Sequence, residues 1–173
     1  GYAGQYVWLV RLGVTLYPNT QNQDDRLLKP ITLYLSLLAW MRWKWFRKDG
    51  STEVGMWGIA SEQNPAYILD MLIPYQVCNA VETDPTPTGL ADMVEDAMDM
   101  NVPPSRLLPY WFHTHPGGSS SPSGTDESTL KGMLKDHPFV IMAILAANED
   151  VYARYTQTKP FGFTAPMDLR IVT

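Results

Sequence analysis

The segment from residue 113 to residue 126 constrains the fold of this chain more than any other. It reads His-Thr-His-Pro-Gly-Gly-Ser-Ser-Ser-Pro-Ser-Gly-Thr-Asp. The apolar residues just before it are typical of a strand, so His113 and His115, two residues apart, leave the same face of that strand. After a loop of small residues, Ser123 opens a predicted helix that carries Asp126. A strand, a loop and a helix must therefore fold together around two imidazoles and a carboxylate.

These side chains are suitable ligands for a zinc ion. Three protein ligands of nitrogen and oxygen type leave the fourth position of zinc open, which is the arrangement of catalytic sites. A second carboxylate, Glu53, lies in the apolar, glycine-containing stretch Glu-Val-Gly-Met-Trp-Gly. Because a buried carboxylate is costly unless it is hydrogen-bonded, packing gives it little reason to be there. We therefore predict one zinc ion per chain, held by His113, His115 and Asp126, with Glu53 as the base that accepts a proton from water.

The combination of Glu53, His-x-His-Pro and a following Ser-x-x-Asp resembles the JAMM motif, the signature of active MPN (JAB) metalloprotease domains, including prokaryotic JAB-like ones. The resemblance implies that His113, His115 and Asp126 are the zinc ligands. It implies that Glu53 is the general acid/base and that Ser123 stabilises the oxyanion. The implied activity is hydrolysis of a peptide or isopeptide bond, at the C-terminus of a ubiquitin-like protein or its conjugates.

The resemblance also implies a fold. It covers about residues 28 to 155 and implies an α/β domain with a curved, mixed, largely antiparallel sheet flanked by helices, the architecture that MPN/JAB domains share with cytidine deaminases. We expect this domain to span residues 28 to 173, with residues 1 to 27 as an extension that adds a strand. One departure is that many relatives carry Gly-Gly where this chain has Gly55 followed by Met56.

Each site residue also has a purely structural interpretation. Ser123 and Asp126 match an N-cap and its third-position acid, and this role is compatible with the catalytic one. An isolated His-x-His pair would be ordinary polar residues at a strand end, and Glu53 alone would be a surface residue at a strand start. His137, near a predicted helix end, has no ligand role.

Three further residues are candidates for substrate binding. Trp111 shares the strand face of the histidines and either flanks the substrate or packs in the core. Gly117 and Gly118 begin a flexible loop that lines or gates the groove. The alternative to an enzyme is a non-catalytic MPN scaffold that binds a ubiquitin-like partner; such scaffolds usually lack some of the ligands, and here none is missing.

Composition excludes several other classes of protein. The net charge of −5 over 173 residues argues against a nucleic-acid-binding protein, which needs a basic surface. The single cysteine, Cys78, cannot form an intramolecular disulfide or build a deaminase-type zinc site, and we expect a buried thiol in a reducing compartment. We find neither a membrane-spanning stretch nor a secretory signal, so we expect a cytoplasmic protein that does not bind membranes.

Periodicity predicts the remaining elements. We expect a helix over about residues 32 to 47, extended chain near 68 to 77, a helix over about 89 to 100, and a hairpin of strands at 139 to 147 and 151 to 155. The tail after Lys159 has no clear pattern. The first helix is expected to bury a wide face that includes Leu33, Leu37, Leu38, Trp40, Met41 and Trp45.

Two charged stretches have open interpretations. The run from residue 42 to residue 48 mixes basic and aromatic residues, which favours a buried stripe with a solvated basic end over a membrane or RNA surface. The helix near residues 89 to 100 carries an acidic stripe, which is either its solvated face or a site for the basic tail of a protein substrate; the stripe consists of Asp92, Glu95, Asp96 and Asp99.

Overall fold

The structure, a computed structural model, describes residues 31–49, 51–78 and 83–173. The predicted N-terminal extension, residues 1 to 27, lies outside the described residues. In chain order the elements are β1 (Ile31–Ser36), α1 (Leu37–Asp49), β2 (Gly55–Ala60), β3 (Tyr67–Leu72), β4 (Gln76–Cys78), β5 (Thr83–Pro85), α2 (Pro87–Asp99), a 3-10 turn (Pro104–Arg106), β6 (Tyr110–Thr114), α3 (Gly124–Asp136), β7 (Phe139–Leu145), β8 (Val151–Gln157) and β9 (Phe163–Val172).

Seven of the strands close into a mixed barrel in the order β1-β3-β2-β6-β7-β8-β9, while β4 and β5 form a separate two-stranded sheet. The last strand, β9, returns to pair in parallel with β1, from Ile31 opposite Met167 to Ser36 opposite Val172. The prediction of a curved sheet flanked by helices is therefore wrong, because this pairing leaves no open edge.

The physical reason for that error lies in two segments. The predicted helix was expected to begin at about residue 32, but residues 31 to 36 form β1, in which Leu33 and Leu35 are wholly buried. The sequence showed no clear pattern in the tail after Lys159, but this tail forms the ten-residue strand β9. Both segments are strands because they pair with each other as neighbours in the closed barrel. Local periodicity does not predict a contact between segments so distant in the sequence.

Two apolar clusters lie on opposite faces of β2, β6 and β7. The inner cluster fills the barrel with residues from all seven strands, among them Met56, Phe112 and Ala143, and α1 packs against it through Ala39 and Trp43. The outer cluster comprises Trp57, Ile59, Met93, Ala97, Val102, Leu107, Trp111, Leu130, Val140, Met142 and Ile144. Since Met93 and Ala97 belong to α2 and Leu130 to α3, these two helices cover the opposite side of the sheet from α1.

Helix α1 buries a different face from the predicted one. Trp43 is fully buried and its indole N–H donates to the carbonyl oxygen of His113 at 3.2 Å. The expected buried residues Leu37, Leu38, Met41 and Trp45 are instead 47% to 60% exposed. The apolar residues of this helix lie on several of its sides, so their spacing alone does not predict which side is buried. The position of β1 in the barrel determines the buried side.

Other predictions about the elements have clear outcomes. The hairpin is confirmed, since β7 and β8 pair antiparallel over all seven residues. The acidic helix is confirmed as α2, which begins after the N-cap Thr86, whose hydroxyl accepts the N–H of Gly89 at 3.0 Å. Cys78 is half-buried rather than buried. Among the described residues, none of the helices is both long and apolar enough to cross a bilayer.

Candidate metal centre

Strand β6 presents His113 on the face of the outer cluster, where its ring stacks on Trp111. Trp111 and His113 alternate with the inward-facing Tyr110 and Phe112, and His115 follows directly after the strand. The two imidazole rings lie 5.1 Å apart between centroids, and both side chains are buried. The strand alternation predicted from the sequence thus delivers both rings to one face.

Helix α3 supplies the third group through its first turn. Ser123 is the N-cap: its hydroxyl accepts the N–H of Asp126 at 3.1 Å, and its own N–H donates to Asp126 Oδ2 at 2.6 Å. This reciprocal pair is a capping box with aspartate in the third position. The cap therefore fixes the direction in which the Asp126 carboxylate points.

The three predicted ligands come together. The Nε2 atom of His113 lies 3.1 Å from Asp126 Oδ1, and the Nε2 atom of His115 lies 3.4 Å from Asp126 Oδ2. One ligand atom from each residue fits within 4.8 Å of the others, and all three residues are buried. His113, His115 and Asp126 could therefore bind a metal ion.

The hydrogen bonds of the imidazoles test whether a metal fits. Both ring nitrogens of His113 and Nε2 of His115 are buried without a hydrogen-bond partner among the described residues; their short contacts with Asp126 lack hydrogen-bond geometry. Buried nitrogen atoms left in this way are costly, whereas a bound cation would use the lone pairs that face Asp126. The donor set fits a metal ion.

The other nitrogen of His115 is already engaged. Its Nδ1 lies 2.9 Å from the backbone oxygen of Ser119, which can only accept, so we assign the proton to Nδ1. That tautomer leaves the lone pair of Nε2 directed at Asp126. A second hydrogen bond of this kind is a usual feature of metal-binding histidines.

Electrostatics at the site depend mainly on Asp126. Burial alone would raise the pKa of Asp126, but its contacts with His113 and His115 and the bond from Ser123 lower it strongly. The contact with Asp126 raises the pKa of His115. Burial lowers the pKa of His113, although the same carboxylate partly opposes the shift. The site therefore holds an ionised carboxylate and a neutral His113 near pH 7.

Glu53 lies beside these groups. Its Oε1 is 3.8 Å from His115 Nε2, and its side chain is only 9% exposed. The neighbouring Val54 exchanges hydrogen bonds with Thr114, donating its N–H to the hydroxyl and accepting the N–H of Thr114, each at 3.0 Å. Glu53 thus reaches the ligand set from the start of β2, next to β6.

Sequence reasoning missed one residue near the site, Gln76. Its side-chain oxygen accepts the N–H of Gly55 at 2.7 Å, and its amide donates to the carbonyl oxygen of Gly55 at the same distance. Gly55 pairs with His113 on its other side, so Gln76 acts as a substitute strand neighbour two residues after Glu53. A single glutamine in an extended segment gives no signal of this role, because the contact spans 21 positions.

The remaining predicted site residues occupy varied positions. Ser123 is exposed at the mouth of the site, and Gly117 and Gly118 are exposed with open space around them. Trp111 is 4% exposed and stacks on the His113 ring at 4.6 Å between centroids. Of the two interpretations of Trp111, packing in the core fits this position, where the indole supports the His113 ring.

Neither a protein-family model nor a curated protein sequence matches this chain.

Proposed function

We propose that this protein is a zinc-dependent hydrolase of peptide or isopeptide bonds, with a JAMM-type site. The observation that carries the proposal is the meeting of four buried groups from three segments: His113 and His115 contact the Asp126 carboxylate, and Glu53 Oε1 lies 3.8 Å from His115 Nε2. His113, His115 and Asp126 would hold the zinc ion. Zinc in such a site lowers the pKa of bound water toward neutrality and polarises a substrate carbonyl.

Glu53 is the proposed proton carrier. As a second carboxylate beside the ligands, it would accept a proton from the attacking water at Oε1 and then deliver it to the departing amine. Its neighbours Val54 and Gly55 are fixed by hydrogen bonds to Thr114 and Gln76, so the carboxylate needs little reorganisation. A preorganised base of this kind is what amide hydrolysis requires.

Ser123 is the proposed stabiliser of the oxyanion. Its hydroxyl oxygen accepts the N–H of Asp126, which leaves the hydroxyl hydrogen available to donate. Because Ser123 is exposed while Asp126 is buried, the hydroxyl lies where a substrate carbonyl can arrive. The capping role and the catalytic role are thus served by one side chain through different atoms.

The proposed substrate is the C-terminal segment of a ubiquitin-like protein or its conjugate, as the motif resemblance implies. Such a tail is an extended chain, and the exposed loop at Gly117 and Gly118 leaves room for it beside the histidines. The sharpest test begins with metal content: elemental analysis of the purified protein should find about one zinc per chain.

The activity test compares Glu53→Gln with Glu62→Gln, which changes an exposed glutamate in a bend of the chain. With an isopeptide-linked ubiquitin dimer and an unstructured peptide as probes, Glu53→Gln should keep zinc and lose at least ~100-fold in kcat, because proton transfer contributes roughly that much. Glu62→Gln should match the unmodified protein. A chain that binds no zinc, or a Glu53→Gln variant with full turnover, would contradict the proposal, and a zinc-loaded chain that cleaves neither probe would favour a binding scaffold.

A further inference from the structure

The two histidines of the candidate metal centre are oriented in different ways. The ring of His113 stacks on Trp111 and is fully buried. His115 lies just after β6 and depends on the loop that follows, because its Nδ1–H donates to the carbonyl oxygen of Ser119 at 2.9 Å. The direction of the His115 ring therefore depends on where the loop places that carbonyl.

This loop, residues 116 to 122, packs little of its own surface. Its sequence is Pro-Gly-Gly-Ser-Ser-Ser-Pro, and Gly117, Gly118 and Ser119 are exposed. Such small side chains bury little apolar surface to offset the entropy that the chain loses when it becomes ordered. The position of the Ser119 carbonyl therefore depends on hydrogen bonds between the loop and the rest of the domain.

The end of β7 and the turn after it provide two of these hydrogen bonds. The N–H of His115 donates to the carbonyl oxygen of Leu145 at 2.9 Å. The N–H of Ala147 donates to the carbonyl oxygen of Gly117 at the same distance. Both bonds join backbone atoms at the start of the loop, and neither reaches Ser119.

A third hydrogen bond joins two side chains farther along the loop. The hydroxyl of Ser120 donates to Asp150 Oδ2 at 2.7 Å. Ser120 is buried, although its neighbours Ser119 and Ser121 are exposed. An ionised carboxylate is a strong acceptor for a hydroxyl, and the short distance agrees with a charge-assisted bond. This bond anchors the residue directly after the carbonyl to which His115 donates.

The turn between β7 and β8 is held by other atoms of Asp150. Its N–H donates to the side-chain oxygen of Asn148 at 3.0 Å, and its carbonyl oxygen accepts the N–H of Ala146 at 2.9 Å. Both bonds use the backbone of Asp150 and would survive the loss of its carboxylate. The bond to Ser120 is therefore a separate role of this side chain.

We propose that Asp150 is a positioning residue for the metal centre. Through Ser120 it fixes the Ser119 carbonyl, which keeps the proton of His115 on Nδ1 and leaves the lone pair of Nε2 for the metal ion. Asp150 lies 30 positions beyond Ser120, so the motif read from the sequence does not include it. The proposal rests on the metal site of the proposed function, but not on its reaction or its substrate.

The first test measures the zinc affinity of the full chain by competition with a chelator. Ser120→Ala and Asp150→Ala each remove the bond and should bind zinc roughly 10-fold more weakly, which is a typical effect of losing a partner of a metal ligand. The double variant should be no weaker than either single one, because both substitutions break the same bond.

Two further variants serve as controls. Asp150→Asn keeps a side-chain oxygen that accepts the Ser120 hydroxyl, and Ser121→Ala removes an exposed hydroxyl from the same loop. Both should stay within about 3-fold of the zinc affinity of the unmodified chain, since neither removes the partner of a metal ligand.

The second test observes the His115 ring in the metal-free protein. Long-range proton–nitrogen NMR spectra at about pH 9, above the ordinary pKa of an imidazole, distinguish the two neutral forms of each ring. The chain has only three histidines, so the signals are few. In the unmodified chain and both controls, His115 should carry its proton on Nδ1. In Ser120→Ala and Asp150→Ala, both forms should be populated, because the carbonyl is no longer fixed.

Four results would overturn the proposal. The first is equal zinc affinity in Asp150→Ala and Ser121→Ala. The second is a double variant weakened by the product of the two single effects, roughly 100-fold, because the two side chains would then act separately. The third is an Asp150→Asn variant as weak as Asp150→Ala, which would assign the effect to charge. The fourth is a His115 proton that stays on Nδ1 in every variant.

Failure of the proposed function gives a different result. An unmodified chain that binds no zinc would contradict the proposed metal site. The spectra of the metal-free protein would still show whether Asp150 and Ser120 orient the His115 ring.

Discussion

The two faces of β6 are both buried, but one carries apolar side chains and the other carries a histidine whose nitrogens have no hydrogen-bond partner in the described chain. On the inner face, Phe112 is fully buried and meets the Trp43 ring edge-on at 5.1 Å between centroids. On the outer face, His113 is equally buried, yet both of its ring nitrogens lack a hydrogen bond within the described chain. Burial alone therefore does not separate a core from a site. The two faces differ here because the unpaired nitrogens belong to two neighbouring imidazoles beside a buried carboxylate, a grouping that a cation would satisfy.

The largest expected effect tests this contrast through stability. Phe112→Ala should lower the free energy of unfolding of the metal-free protein by roughly 3–5 kcal/mol, because it opens a cavity in the inner cluster. His113→Ala should cost less in the metal-free protein, because the loss of its contacts with Trp111 and Asp126 is partly offset by the removal of two unsatisfied nitrogen atoms. Denaturant unfolding of both variants after zinc removal measures the difference.

The same pair should behave in the opposite way toward metal. His113→Ala should bring zinc content close to zero, while the folded fraction of Phe112→Ala should retain it, since Phe112 lies on the opposite face of β6 from His113. Equal destabilisation by the two substitutions, with zinc retained in both, would mean that the outer face is an ordinary core.

An intermediate effect concerns how the stability of the metal-free protein depends on pH through His115 and Asp126. The pKa of His115 is raised by Asp126, so its contribution to stability is complete below its ordinary pKa of 6.5 and is lost as pH rises through the folded-state pKa. The pKa of Asp126 is lowered, so its contribution is present above its ordinary 3.8 and is lost as pH falls. The pair is therefore most stabilising between these two values.

Asp126→Asn tests this window and keeps a side-chain oxygen for the cap. The difference in the free energy of unfolding between the original protein and this variant should be roughly 2 kcal/mol near pH 5.5 and smaller near pH 8.5. Unfolding curves at several pH values, with metal removed, give the profile. A difference that does not change with pH would show that only the cap matters.

The smallest expected effect tests whether Gln76, whose side chain is hydrogen-bonded to Gly55, contributes to the candidate site. Gln76→Met removes both bonds to Gly55 and should cost about 1–2 kcal/mol of stability, since two backbone groups lose their partner. Zinc content should stay unchanged, because Gln76 is not one of the three proposed ligands. If the proposed reaction holds, kcat should fall further than for Gln63→Met, an exposed control. A variant that loses zinc would instead assign Gln76 to the metal centre itself.

Most of the ligand set could be predicted because its parts are local. His113 and His115 share a face through the alternation of one strand, and Ser123 orients Asp126 through a capping box of four consecutive residues. These patterns depend on backbone geometry that neighbouring residues determine. Glu53 was also singled out, because a carboxylate in an apolar, glycine-containing stretch is unusual and because the whole motif includes it; the structure places its Oε1 3.8 Å from His115 Nε2.

The main errors concern contacts between segments that are distant in the sequence. Residues 32 to 36 satisfy a helical pattern as well as a strand pattern, and their pairing with β9 and β3 decides between them. The exposed side of α1 was predicted wrongly for a similar reason, since apolar residues surround that helix and the barrel decides which of them it covers.

By itself, the sequence determined the chemistry of the site: which side chains can bind a cation, and how a strand and a helix start direct them. Only the tertiary structure decided three further features. The sheet closes into a barrel, the Gln76 side chain is hydrogen-bonded to Gly55, and Leu38, Met41 and Trp45 of α1 are exposed. The physical reason is range. Dihedral preferences and hydrogen bonds within a few residues are determined by neighbouring residues in the sequence. Strand pairing and burial can depend on segments more than a hundred residues apart, such as β1 and β9.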